Sequence, residues 1–304
     1  MWIFRNSHEN RLRVGWRIAL FAAMFMAINV GLQVLVKGCV PGWREMPIFR
    51  QMAPIAIVAV SATFSTIVAR RWLDKRDLTG MGLARSREST TDLVFGFFLS
   101  AAMATVFYAV ALSTGLIRFE GFEWGKPVLG GKILMSGTVL IAFFVIHVLV
   151  GWWEELVFRG YLLFNLRDGL GLGWAIAITS LIFSGLHLLN PNGGGVVSTV
   201  LILAFALQGV FALLQTGRLW MPIGMHMGWN FFQGPILGFA ASGNKTPSIL
   251  RQSPVGPDWL SGGTFGPEAS VLMIPILLVS ILIIRWWSMR PSARRHEKGM
   301  KPKD

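Results

Sequence analysis

Eight apolar runs, each close to the length that crosses a bilayer, leave this chain little choice of fold. They are Arg17–Val36, Ala53–Trp72, Leu93–Leu116, Ile133–Leu166, Trp174–Leu189, Val196–Gln215, Trp220–Ala240 and Ser270–Trp287. In hydrocarbon every backbone N–H and C=O must find its partner within the segment or within a closed barrel. A barrel strand needs only about ten residues and a helix about twenty. The runs therefore predict an all-α fold, a polytopic membrane bundle of about eight transmembrane helices. Composition agrees: 14% of residues are charged and 53% hydrophobic, whereas soluble domains carry about 25% charged residues.

The formal charge of +13 does not point to nucleic acid, because the basic residues collect in a few flanks. Arg70, Arg71, Lys75, Arg76, Arg85 and Arg87 follow the second run. Arg290, Arg294, Arg295, Lys298, Lys301 and Lys303 follow the last, and the N-terminal tail is basic too. Lys and Arg concentrate on the cytoplasmic side, beside anionic lipid. With eight spans both termini then fall in the cytoplasm, and the Pro/Gly/Ser-rich connection Ser242–Glu268 falls outside. The first run, despite its basic flank, reads as an uncleaved span because no small-residue cleavage site follows it. The compact loops suit a prokaryotic plasma (inner) membrane. One cysteine, Cys39, excludes an internal disulfide and a CxxC metal site. The chain divides into an N-terminal transmembrane part (1–130), a chemical core (131–240), and an outer loop with the last span and basic tail (241–304).

Within the apolar runs stand a few polar residues, and an ionisable group in lipid is a functional candidate by default. Glu154, Glu155 and Arg159 lie on the fourth run, His187 on the fifth, His226 and Asn230 on the seventh. Glu155 and Arg159 are four apart with the acid first, so they share a helix face and can neutralise each other. Glu154 points about 100° away, with Phe158 in the matching position. His226 and Asn230 also share a face. Placing the fourth-to-fifth turn at Asp168–Gly173 puts Glu154 and His187 at one depth, roughly 20–25 Å from it at ~1.5 Å rise per residue. His226 and Asn230 come out about two turns away from that level. A glutamate beside a histidine, shielded from water, can deprotonate one water molecule. A second histidine and an amide can donate to an oxyanion. Glu154, His187 and His226 would equally suit a divalent metal such as zinc with an open position for water. The spacing leaves the cofactor as none or such a metal.

Blander readings exist for each residue. An acid pair behind Trp152 and Trp153 also suits a helix end at the membrane interface. A single interior histidine is more often just hydrogen-bonded. His147, two turns before Glu154, is a further candidate neighbour. Arg167 and Asp168 read as interfacial. Ser184 lacks a GxSxG frame, and Gly193–Gly195 lacks the GK[ST] of a phosphate loop. There is no HExxH, and each aspartate falls in a predicted loop or tail, which argues against an aspartyl dyad.

In combination, Glu154-Glu155-x-x-x-Arg159, Phe183-x-x-x-His187 and His226-x-x-x-Asn230 resemble the three-motif pattern of the CPBP family. This is the group of CAAX-protease and bacteriocin-processing membrane proteins that includes the Ras-converting type of CAAX endopeptidase. The resemblance spans roughly Ile133 to Gly238. It implies an intramembrane endopeptidase acting on a membrane-associated protein or peptide. By position, Glu154 and His187 would activate water, His226 and Asn230 would stabilise the oxyanion, and Glu155 and Arg159 would support the site. Two other classes fit the same residues: a non-catalytic immunity or scaffold protein retaining the motifs, and a proton- or ion-coupled transporter.

Overall fold

The computed structural model describes residues 5–6, 11–193 and 195–290; the basic tail residues Arg294 to Lys303 lie outside these. Each apolar run is helical over most of its length. In order they are α1 (Val14–Cys39), α2 (Pro47–Val68), α3 (Arg87–Ser113), α4 (Gly137–Glu155), α5 (Leu163–Leu170), α6 (Leu172–His187), α7 (Val196–Thr216) and α8 (Trp220–Phe231). After the short α9 (Asp258–Ser261) comes α10 (Met273–Ser288). Five are long and apolar enough to cross a membrane: α1, α2 with its extension to Leu73, α3, the α4–α5 rod and α7. The helices α6 and α10 are shorter apolar ones. The strands are small: Ile117–Phe122 pairs antiparallel with Leu250–Pro254, and three other pairings join two-residue stretches or isolated bridges.

Local chemistry sets the helix ends. Ser86 caps α3 by accepting the Ser89 N–H at 3.1 Å, one of the orphan donors of a helix start. Gly217, at φ +66°, ends α7 in the left-handed conformation that glycine adopts most cheaply. The fourth run is not one regular helix. Widened, π-type turns span Leu156–Leu162, directly after the acid pair.

Two expectations about boundaries change. The turn expected at Asp168–Gly173 shrinks to Gly171 (φ +83°), because α5 continues through Asp168 to Leu170. Nor do all the aspartates lie in loops. Asp92 is in the second turn of α3, because Ser86 starts that helix earlier than its first apolar residue suggests. It accepts from Arg218 Nε at 2.6 Å and from Trp287 Nε1 at 2.8 Å. Asp74, fully buried, accepts from Arg17 (3.2 Å), Arg70 (2.9 Å) and Asn165 (3.0 Å). Asp168, rather than merely facing the interface, pairs with Arg11 and Arg76. These paired acids bind the α1, α2, α3, α5 and α10 ends that share one face of the bundle. They are partnered by cations or hydrogen-bond donors, as buried charges must be.

The helix α8 lies in the middle of the bundle. It packs along α3 and α4, and both approaches are made at glycines. A Cβ on Gly228 would overlap the Phe97 carbonyl oxygen and stand 2.9 Å from the Phe97 Cα, and one on Gly96 would stand 3.0 Å from the Met225 nitrogen. On the other side, a Cβ on Gly151 of α4 would stand 3.0 Å from the Met227 nitrogen and 3.4 Å from the His226 Cβ. Small residues are what let helix backbones approach closely in a membrane. Here they bring the acid pair of α4 against the histidine of α8.

Candidate active site

A cavity of about 690 Å³ is lined by all six residues singled out from the sequence: Glu154, Glu155, Arg159, His187, His226 and Asn230. Arg159 Nη1 donates to Glu155 Oε1 at 2.9 Å, both side chains being buried. The guanidinium also lies over the Phe183 ring, 4.1 Å from its centre. Gly209 faces it from α7, where a Cβ would stand 3.5 Å from Arg159 Nε and Nη2. Phe183 in turn packs on His187 (4.6 Å between ring centres) and edge-on to His226 (6.3 Å). One aromatic ring thus seats the cation and both imidazoles, which gives Phe183 of the second motif a physical task.

Glu154 was expected to face His187 across α4 and α6, and both line the cavity. The structure adds a second histidine to Glu154: His226 Nε2 lies 3.6 Å from Glu154 Oε2. His226 Nδ1 donates to Glu155 Oε1 at 2.9 Å. His226 therefore bridges both carboxylates. The two-turn mismatch expected for it is absent because the close approach at Gly151 and Gly228 sets the depth of α8. Turn-to-residue counting on a straight helix cannot see that approach. His187 Nδ1 bonds the carbonyl oxygen of Phe183 one turn back at 2.7 Å. A carbonyl only accepts, so Nδ1 carries the hydrogen and the neutral ring presents a bare Nε2. Glu154 Oε2 is buried without a hydrogen-bond partner, a costly state for such an atom unless a ligand or water completes it. Among the described residues no three His, Cys, Asp or Glu side chains stand where one ion could join them. The set Glu154, His187 and His226 does not close around a metal.

Two cavity residues escaped the sequence reading of the site. His147 was noticed only as a neighbour; it is buried, lines the cavity, and has no partner for either ring nitrogen. Glu268 was placed in an outer loop. It is buried at 3% exposure and accepts four hydrogen bonds: Trp229 Nε1 (2.7 Å), Gln233 Nε2 (3.0 Å), Ser242 N (2.6 Å) and Ser242 Oγ (2.8 Å). It ties the segment after α8 back onto the helix that carries His226 and Asn230. The only sequence signal was an acid closely followed by an apolar run, which is too common to notice. Glu268→Ala would leave four donors without their acceptor, each worth about 1–3 kcal/mol when buried. We expect a loss of at least about 3 kcal/mol, read as a lowered melting temperature in detergent, with Glu268→Gln intermediate. An unchanged melting temperature for Glu268→Ala would refute this account of the loop.

A membrane-embedded helical bundle that gathers Glu154, Glu155, His187, His226 and Asn230 at one cavity defines the class. Residues 136–232 match the family model described as type II CAAX prenyl endopeptidase Rce1-like, in agreement with the motif resemblance. The match contains every one of the six residues. No curated protein and no solved structure matches the chain.

Proposed function

We propose that the protein is an intramembrane endopeptidase that hydrolyses a peptide bond of a membrane-associated protein or peptide. The observation that carries this reading is the unpartnered Glu154 Oε2 in a cavity it shares with His187, His226 and Asn230. Glu154 and the bare Nε2 of His187 are both acceptors, suited to hold one water by its hydrogens. Glu154 takes a proton as the water oxygen attacks the scissile carbonyl. Negative charge then moves to the carbonyl oxygen. The Asn230 amide, one helical turn from His226 on the same face, donates to it. His226 donates through Nε2–H when its ring carries both protons. Collapse of the intermediate breaks the C–N bond, and Glu154 returns its proton to the leaving amine. Glu155 and Arg159 hold His226 in place.

No step in this scheme passes through a metal. A zinc mechanism needs three converging ligands, and among the described residues no three His, Cys, Asp or Glu side chains converge on one point. The transporter reading gains nothing from the sequence, in which no internal repeat of the kind many transporter folds use is visible. The test is a panel of quenched peptides incubated with purified protein, with and without a chelator. Cleavage that survives the chelator and disappears in Glu154→Gln is the expected result. Cleavage by wild type and Glu154→Gln at equal rates would overturn the mechanism.

A further inference from the structure

The cavity has a direction. Beyond the reacting residues it is lined by Arg50 at the start of α2, Leu129 between α3 and α4, Asn190 after α6, and Lys245 after α8. The helices α2 and α4 begin, and α6 and α8 end, on one face of the bundle. All four connections therefore lie on that face, and the mouth is there. The opposite face carries the connection with Arg71, Lys75, Arg76, Arg85 and Arg87, and among the described residues none of that connection lines the cavity. That face is closed by the buried clusters around Asp74 and Asp92. Between it and the cavity stands the Glu155–Arg159 pair. Lys and Arg next to spans remain in the cytoplasm, so the closed face is cytoplasmic and the mouth is extracytoplasmic.

From this we propose that the site takes its substrate from the extracytoplasmic side, as an unfolded tail or loop of a membrane-anchored protein. The inference rests on the endopeptidase reading above and adds the side and the form of the substrate. Form follows from depth. Glu154 is seventeen residues from Gly137, where α4 starts on the mouth face, or about 25 Å at 1.5 Å per residue. An extended chain advances about 3.3 Å per residue. About eight unfolded residues must therefore precede the scissile bond for it to reach Glu154. A folded domain cannot enter a cavity of about 690 Å³.

Two measurements test this. Cys39, exposed at the mouth-side end of α1, reports the sidedness directly. A membrane-impermeant maleimide added to intact cells should label Cys39. It should label Ala84→Cys, placed on the basic connection in a Cys39→Ser background, only after permeabilisation. The reverse pattern would overturn the proposal whatever the enzyme does. In the second measurement a quenched peptide is added outside sealed right-side-out vesicles. We expect at least half of the rate seen after detergent, against less than a tenth for inverted vesicles. Activity confined to inverted vesicles would overturn the sidedness and leave the endopeptidase reading standing. No cleavage in either vesicle type, before or after detergent, would sink the endopeptidase reading and with it the substrate claim, while the labelling still decides the side.

Discussion

Glu154→Gln should remove peptide cleavage while leaving the folded protein intact, whereas Glu155→Gln should first cost stability. The two acids are adjacent in sequence but differ in what holds them. Glu155 accepts from both Arg159 and His226 at 2.9 Å, so its charge is spent on structure. Replacing it with an amide leaves Arg159 buried without its counter-ion. Breaking a buried pair costs about 3–5 kcal/mol. Glu154 Oε2 has no hydrogen bond and only the longer 3.6 Å contact to His226, so its loss disturbs little packing. A positioned general base contributes roughly 10²–10⁴-fold to rate, and an amide cannot replace it. The measurements are kcat on a cleavable peptide and the melting temperature in the same detergent. The expected pattern is a collapse of kcat with an unchanged melting temperature for Glu154→Gln. For Glu155→Gln the melting temperature should fall, with activity lost in step with the folded fraction. The reverse assignment of effects would mean that Glu155 is the base and that its bond to His226 belongs to the chemistry.

What the sequence made legible here was whatever depends on residues near one another in the chain. Length and polarity revealed the helices, because lipid leaves a twenty-residue apolar run no other way to satisfy its backbone. The i,i+4 rule found the Glu155–Arg159 pair for the same local reason. The contact between Glu154 and His226 was not legible, since it depends on how far α8 slides along α4, and glycine contacts between helices set that. Glu268 was illegible for a related reason. Its burial comes from a loop folding back onto Trp229 and Gln233, and nothing in a Pro/Gly/Ser-rich stretch announces a return path. The widened turns after Glu155 are a third case. They contain Arg159, which packs between Phe183 and Gly209 on other helices, and that contact is not local in sequence. One signal was present and unread: Gly224-Met225-His226-Met227-Gly228 is a G-x-x-x-G inside an apolar run, centred on the histidine that joins the two acids.

That motif carries the second large effect. Gly228→Leu should prevent the bundle from assembling, and Gly228→Ala should already weaken it. The Cβ of either variant would fall 2.9 Å from the Phe97 Cα, a distance that backbone atoms cannot yield to without moving the helix. Overpacking a tight contact costs about 1–3 kcal/mol for small additions and more for large ones. Moving α8 away from α3 does not merely loosen the pair. It pushes α8 toward Gly151 of α4, where the clearance is also small, so His226 loses register with Glu154 and Glu155. We therefore expect Gly228→Ala to lower kcat by more than its loss of folded protein explains, and Gly228→Leu to yield no monodisperse protein in detergent. Gly31→Ala and Gly185→Ala are the controls, because a Cβ at either position meets nothing within 4 Å. They should match wild type in both melting temperature and cleavage. If Gly228→Ala also matched wild type, the α3–α8 approach would not be what fixes the site, and the position of His226 would need another cause.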